Sequence, residues 1–306
     1  MASIDHKAPF HLIRLRPRVA FLDDDATFLD ALMTAIAEAD AQFFTEPKSL
    51  DELLERTRIA RRIERDLWTS IGSGQSAAPL SSVYNYLSSD MRPSVVSIIV
   101  VDHMMPGELG RDYCARHADE GLHRILLTGM ADSNLAVQAF NDRSTGYFIP
   151  KQSRSLRNLL VRALQDTQAR MDDQNAAGLR ANADPGVLAA LNAPDVQRDL
   201  EQLMNTFGVE EYVFLNQPQG LAGVTASGHR VWLQLETRQT LTELADLMIE
   251  SDTLPDLVPA VLQAQRTVNI ELATQLPTLA KIDSTTLRAL GTDAQLYAGA
   301  FAVARS

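Results

Sequence analysis

Five polar residues of this 306-residue chain stand where apolar runs end, and their types could act together. Asp102 closes the run Val95-Val96-Ser97-Ile98-Ile99-Val100-Val101 and is followed by His103-Met104-Met105-Pro106-Gly107. Asp23 and Asp24 follow Val19-Ala20-Phe21-Leu22, Thr128 follows Arg124-Ile125-Leu126-Leu127, and Lys151 follows Tyr147-Phe148-Ile149-Pro150. A run of β-branched residues reads as a strand buried on both faces of a parallel sheet. Such a strand delivers its last residue to the carboxyl edge, where open α/β sheets place their chemistry. Three carboxylates with a backbone carbonyl make a hard-oxygen site suited to Mg²⁺, which takes few protein ligands and keeps waters. A hydroxyl and an ammonium beside them would stabilise charge building on a transferred phosphoryl group.

The elements that must position these residues alternate. After the first strand, Phe28, Leu29, Leu32, Met33 and Ile36 form one helical stripe. Gln42-Phe43-Phe44-Thr45 reads as a second strand stopped by Pro47. A charged helix then starts at the N-cap candidate Ser49, with Glu52 three residues on, and runs through Leu50, Leu53, Leu54, Thr57, Ile59, Ile63, Leu67 and Trp68. It breaks at Gly72-Ser73-Gly74-Gln75-Ser76, and helical spacing resumes at Leu80, Val83, Tyr84 and Leu87. Beyond Asp102 the pattern predicts helices over Gly110–His117 and Asn134–Phe140. A longer one runs from Ser155 through Leu156, Leu160, Ala163, Thr167 and Met171. The expected fold class is α/β, a doubly wound five-stranded parallel sheet over 17–174 with a helical insertion at 50–92.

The second half reads differently. Residues 1–17 look like a loose leader, 175–192 like a linker marked by Asn182-Ala183-Asp184-Pro185-Gly186, and 193–306 like an α+β domain. Asp195 to Phe207 is an amphipathic helix. Glu211–Leu215, Leu221–Thr225 and Val231–Leu235 are three antiparallel strands joined by turns. Helices are expected near Leu241–Ile249 and Leu257–Leu272, and Ala294–Ala304 as an edge strand. This half holds no Gly-rich phosphate loop, no Cys/His metal set and no nucleophile elbow. Glu236 ends a strand but lacks the lysine two positions on that a nuclease-type carboxylate cluster would use.

Composition excludes several classes. Hydrophobic residues make up 45% and charged residues 22%, which is globular rather than disordered. Net charge is −11, and residues 180–306 carry 8 Lys+Arg against 15 Asp+Glu, net −7. That argues against a phosphate-binding surface there, so nucleic acid is not an expected partner. The basic run Arg56, Arg58, Arg61, Arg62 and Arg65 is balanced by Glu52, Glu55, Glu64 and Asp66 and reads as a solvated face. The single Cys114 permits no internal disulfide. No signal peptide opens the chain and no apolar stretch reaches membrane length, so a cytoplasmic location without membrane partners is expected.

The pieces Phe21-Leu22-Asp23-Asp24-Asp25, Val100-Val101-Asp102-His103-Met104-Met105-Pro106-Gly107, Leu127-Thr128-Gly129 and Phe148-Ile149-Pro150-Lys151 occur in order, each at the end of a strand. In this the sequence resembles the receiver (CheY-like) domain of two-component response regulators over roughly 17–170. The resemblance implies that Asp102 accepts a phosphoryl group from a sensor histidine kinase or phosphotransfer protein. It implies that Asp23, Asp24, Asp102 and the Met104 carbonyl hold Mg²⁺. Thr128 and Lys151 would bond phosphoryl oxygens, and Phe148 would swing inward as Thr128 moves. Two features depart from the family: 79 residues separate Asp23 from Asp102, more than short connections need, and Gln152 stands where a proline usually follows the lysine. Ala139-Phe140-Asn141 ahead of Phe148 matches a receiver subgroup with outputs other than DNA binding.

Each residue also has a plainer reading. Strand-end acids commonly cap helices, and Asp25 is the one expected to do only that. Met104 and Met130 could be loop filler, or an apolar rim that hinders water attack on an acyl phosphate. Cys114 reads as a helix residue packed on the sheet, and His103 and His117 as structural or exposed. The expected function is a response regulator whose C-terminal output acts by protein or small-ligand binding. The alternative is a phosphorylation-controlled enzyme, and a DNA-binding regulator ranks last. A homodimer through the receiver or the 155–175 helix is an expected assembly.

Overall fold

The computed structural model describes residues 9–36, 39–73, 80–90, 92–118, 122–129, 146–277 and 280–304. The chain divides into two units, one of residues 16–64 and 90–171, the other of 1–15, 65–89 and 172–306.

The first unit is a parallel sheet in the order Asp40–Phe44, Arg18–Leu22, Ile98–Asp102, His123–Thr128, Tyr147–Pro150. Period-two alternation sends successive residues to opposite faces. Val19, Phe21, Ile98, Val100, Ile125, Leu127 and Ile149 form one buried face, covered by Leu29 and Leu32 of the Ala26–Ala35 helix and Leu160 and Leu164 of the Leu156–Asn175 helix. Ala20, Leu22, Ile99, Val101 and Leu126 form the other, covered by Leu50, Leu53 and Leu54 of the Pro47–Gly72 helix and by Tyr113 and Cys114 of the Gly110–Arg116 helix. Strand order reverses between Arg18–Leu22 and Ile98–Asp102, and such a switch point opens a crevice at the carboxyl edge. The strand that precedes Asp102 is thus central and buried along its whole length.

The Pro47–Gly72 helix is tied to this sheet by a buried bidentate pair, Arg18 Nη1 to Glu64 Oε2 at 2.9 Å and Nη2 to Oε1 at 2.7 Å. The basic run is only partly a solvated face. Arg56, Arg62 and Arg65 are exposed and Arg58 pairs with Glu55, but Arg61 is buried and donates back to Thr57 Oγ1 and the Leu54 carbonyl. Cys114 packs on the sheet as expected, and burial pushes its thiol up to about 12. His103 and His117 are both buried, the latter with Nε2 3.0 Å from Asp51 Oδ1. The helix expected over Asn134–Phe140 and the run Ala139-Phe140-Asn141 lie outside the described residues.

The second unit is a six-stranded antiparallel sheet in the order Ile13–Arg14, Val209–Asn216, Gln219–Thr225, Arg230–Glu236, Leu296–Val303, Arg288–Leu290. The three consecutive central strands were legible as alternating runs between turns. Residues 9–15 are no loose leader. Phe10, Leu12, Ile13 and Leu15 are buried, and Ile13 and Arg14 pair with Val213 and Tyr212. Nor is the last strand an edge. Leu296–Val303 lies between Arg230–Glu236 and Arg288–Leu290. The Leu257–Leu272 helix is broken as well. Val258–Leu262 is helical, Ala264 takes φ 55°, and Arg266–Val268 pairs as a strand with Ser284–Thr286 before Ile270–Gln275 resumes helix. β-Branched Thr267 and Val268 favour that pairing over a continuous helix. The core of this unit also takes Trp68 and, from the Leu80–Leu87 helix, Leu80, Val83, Tyr84 and Leu87. Tyr84 donates its hydroxyl to the Val231 carbonyl at 3.0 Å. Among the described residues no helix is long and apolar enough to cross a membrane.

Candidate functional site

The carboxyl edge of the parallel sheet is held by hydrogen bonds that carry the ladder one residue past the strands. Asp23 N donates to Phe44 O at 3.0 Å, His103 N to Leu127 O at 2.8 Å, and Lys151 N to Thr128 O at 2.7 Å. Each bond fixes the backbone of a loop residue against its neighbouring strand. The polar residues read from the sequence are therefore brought to one edge by the sheet itself, not by loose loops.

Asp23, Asp24 and Asp102 each present a carboxylate oxygen within 4.8 Å of the others. Asp23 is 1% exposed and Asp102 4%, while Asp24 faces solvent. Lys151 Nζ lies 2.6 Å from Asp23 Oδ2 and 2.8 Å from Asp102 Oδ1. Burial holds the Asp23 carboxyl above its ordinary range, against the pull of Lys151 and of the Asp25 amide. Burial works against the charge on Lys151, but its bonds to Asp102 and Asp23 outweigh that and raise its pKa. One ammonium thus faces two buried acids, and a third acid stands beside them. The local excess of negative charge and the hard-oxygen donors suit a small divalent cation.

Asp25 does what its position suggested. Its Oδ1 accepts from the Thr27 and Phe28 amides and caps the Ala26–Ala35 helix. Asp23 Oδ1 accepts from the Asp25 amide at 3.1 Å, so the cap and the acid pair brace each other. Thr128 is 1% exposed at the end of its strand, and Phe148 is half-buried beside the Ala20 face of the sheet with Phe44. The Met104 side chain is 63% exposed in the loop two residues beyond Asp102. Met130 lies outside the described residues. His103 is buried next to Asp102, and burial keeps its pKa below the ordinary imidazole value.

Two features of the site escaped sequence reading. Lys151 Nζ sits 4.7 Å above the Phe28 ring, so an aromatic face completes its surroundings. Phe28 had been legible only as part of the helix stripe. Gly110 opens the Gly110–Arg116 helix directly against the backbone after Asp102, donating to His103 O at 2.9 Å. A Cβ at Gly110 would lie 2.0 Å from the Asp102 carbonyl oxygen. No pattern in the sequence distinguishes this glycine from one in an ordinary turn.

No family model matches the chain, and no curated protein matches it by sequence. Solved structures do. The response regulator LqsR of Legionella pneumophila is similar over 97% of this chain and 91% of its own, with TM-score 0.64 and 20% identity. The signal receiver domain of an HD domain-containing protein from Pseudomonas fluorescens Pf-5 matches 50% of this chain and 98% of its own, at TM-score 0.34 and 18% identity. A CheY-like receiver domain from Methanospirillum hungatei JF-1 matches 51% and 99%, at TM-score 0.31 and 15% identity. The fold of this chain is that of a response-regulator receiver, the flavodoxin-like order described above, with a separate antiparallel sheet.

Proposed function

We propose that this chain is a response regulator and that Asp102 accepts a phosphoryl group from a phosphohistidine on a sensor kinase or phosphotransfer protein. The observation that carries the reading is the meeting of Asp23, Asp24 and Asp102 beside Lys151 at the edge of a receiver-like sheet. In this reading an Asp102 oxygen attacks phosphorus, the P–N bond breaks, and its electron pair leaves with the imidazole nitrogen, which then takes up a proton. The product is an acyl phosphate on Asp102.

Asp23, Asp24, Asp102 and the Met104 carbonyl would hold Mg²⁺, which when bound offsets repulsion between the acids and the phosphoryl oxygens. Lys151 would release one of its two carboxylates and pair with a phosphoryl oxygen, kept in place by the Phe28 face. Thr128 would donate its hydroxyl to another oxygen, and Phe148 would follow it inward. The Arg230–Glu236 unit would be the output, acting on a protein or a small ligand. Trp232 and Tyr212 are buried in it, so they offer no exposed aromatic face.

The test is acetyl phosphate with Mg²⁺, read by intact mass. The expected result is one phosphoryl group per chain, released by hydroxylamine and absent from Asp102→Asn. Equal labelling of wild type and Asp102→Asn would overturn the assignment.

A further inference from the structure

The antiparallel unit contains a cleft of its own, far in sequence from Asp102. It holds about 160 Å³ between the end of the Arg230–Glu236 strand, the Arg238–Glu250 helix and the segment from Val268 to Glu271. Glu236 lies at its floor, 5% exposed. Glu243 and Glu271 stand on its exposed rim, and Leu244, Leu247 and Val268 supply an apolar wall.

The floor carboxylate is unusual in its partners. Glu236 Oε1 accepts from Gln234 Nε2 at 2.6 Å and from Thr267 Oγ1 at 2.8 Å, and Oε2 accepts from Thr240 Oγ1. All three donors are neutral. Among the described residues no Lys, Arg or His pairs with Glu236, and none lines the cleft. A buried carboxylate normally meets a cation, because neutral donors orient it without cancelling its charge. Here the fold has built the orienting bonds and set the carboxylate in the wall of a cavity without a cationic partner among the described residues.

We propose that this cleft binds a small organic cation, an ammonium group carried on a compact apolar body. The apolar wall suits the body, and the three acids suit the head. A cavity of about 150 Å³ is known to hold a benzene ring, which sets the size of the body. A bare divalent ion fits less well. Among the described residues the only acids whose ligand atoms come within 4.8 Å of one another in a group of three are Asp23, Asp24 and Asp102. Partial desolvation against the cleft wall, and then the charges of Glu236 and Glu243, hold the Glu271 carboxyl above its ordinary range. A bound cation would relieve that repulsion. A group with a perturbed pKa in a mixed polar and apolar cavity is a common mark of a ligand site.

The test uses the full chain and three probes of one shape, benzylamine, benzyl alcohol and benzoate, in isothermal titration calorimetry at neutral pH. Benzylamine is expected to saturate, benzyl alcohol to bind about tenfold more weakly or not at all, and benzoate not to bind. Glu271→Gln, on the rim, should weaken benzylamine about tenfold while leaving the melting temperature no lower. Glu236→Gln should weaken it at least as much. Equal binding of the amine and the alcohol would overturn the proposal. So would failure of the amine to saturate, unchanged affinity in both variants, or displacement of the amine by Ca²⁺ at lower concentration than the amine itself requires.

Discussion

Replacing Gly110 by alanine puts a methyl group where the backbone of Asp102 already is. The added Cβ would lie 2.0 Å from Asp102 O, 2.8 Å from Asp102 C and 3.0 Å from His103 Cα. Carbon–oxygen contacts of this kind settle near 3.3 Å, so helix and strand end must part by about 1.3 Å. Neither side yields easily. Asp102 ends a central strand, and the helix is pinned by buried Tyr113 and Cys114. Overpacking a filled site costs about 1–3 kcal/mol. A misplacement of about 1 Å at a reacting group costs about 10²-fold in rate. The assay is the rate of acetyl phosphate labelling of Gly110→Ala against wild type, beside the melting temperature of each. Gly146→Ala is the control, since a Cβ there meets only an ordinary 3.7 Å contact with Arg124 O. Labelling at the wild-type rate with an unchanged melting temperature would show that the close approach does not position Asp102.

Asp23 makes a prediction about pH and metal together. Its raised pKa means that the folded chain binds this proton more tightly than the unfolded chain does. Stability from this group therefore falls as pH rises from the ordinary value of 3.8 through the raised one. In EDTA at neutral pH, Asp23→Asn should melt higher than wild type, and the gain should vanish in acid below the ordinary value. Mg²⁺ should raise the melting temperature of wild type only. A lower melting temperature for Asp23→Asn in neutral EDTA sinks this account. Glu64→Ala removes the bidentate acid from the Arg18 guanidinium, whose side chain is 3% exposed, and should cost about 3–5 kcal/mol in urea unfolding. A loss below about 1 kcal/mol would place the pair among weak surface bridges. Met104→Asn should shorten the lifetime of the acyl phosphate several-fold if the exposed thioether screens it from water. A wild-type lifetime of seconds would remove that role.

The parallel sheet was legible because its strands leave nothing to context. Ile98 to Val101 is apolar at every position, and such a run between turn signals admits few other structures. Once those strands are placed, the residue after each is placed too, so the site acids, Thr128 and Lys151 follow from element order alone. What stayed hidden depends on distance in space. Gly110 and Phe28 matter for what lies opposite them, and sequence gives no opposite. Thr267 and Val268 sat in a stretch whose spacing also fits a helix, and only the partner strand Ser284–Thr286 decides between the two. Residues 9–15 carry too few alternations to declare a strand without Val209–Asn216 beside them.

The order in which the ribosome releases this chain bears differently on its two cores. By residue 171 the parallel sheet has every strand it needs. The antiparallel core draws on Phe10 to Leu15, on Trp68 to Leu87, and finally on Leu296–Val303, which is an interior strand. Its earliest pieces are thus made before the first sheet closes and its last piece more than a hundred residues afterwards. At about 5–20 residues per second, Trp68, Tyr84 and their neighbours stay without their final partners for roughly ten seconds or more. A nascent chain stalled between the two points would expose that apolar surface although the first sheet is already complete. It would be a natural client for a holding chaperone, and truncation there would yield a sticky fragment rather than an isolated receiver.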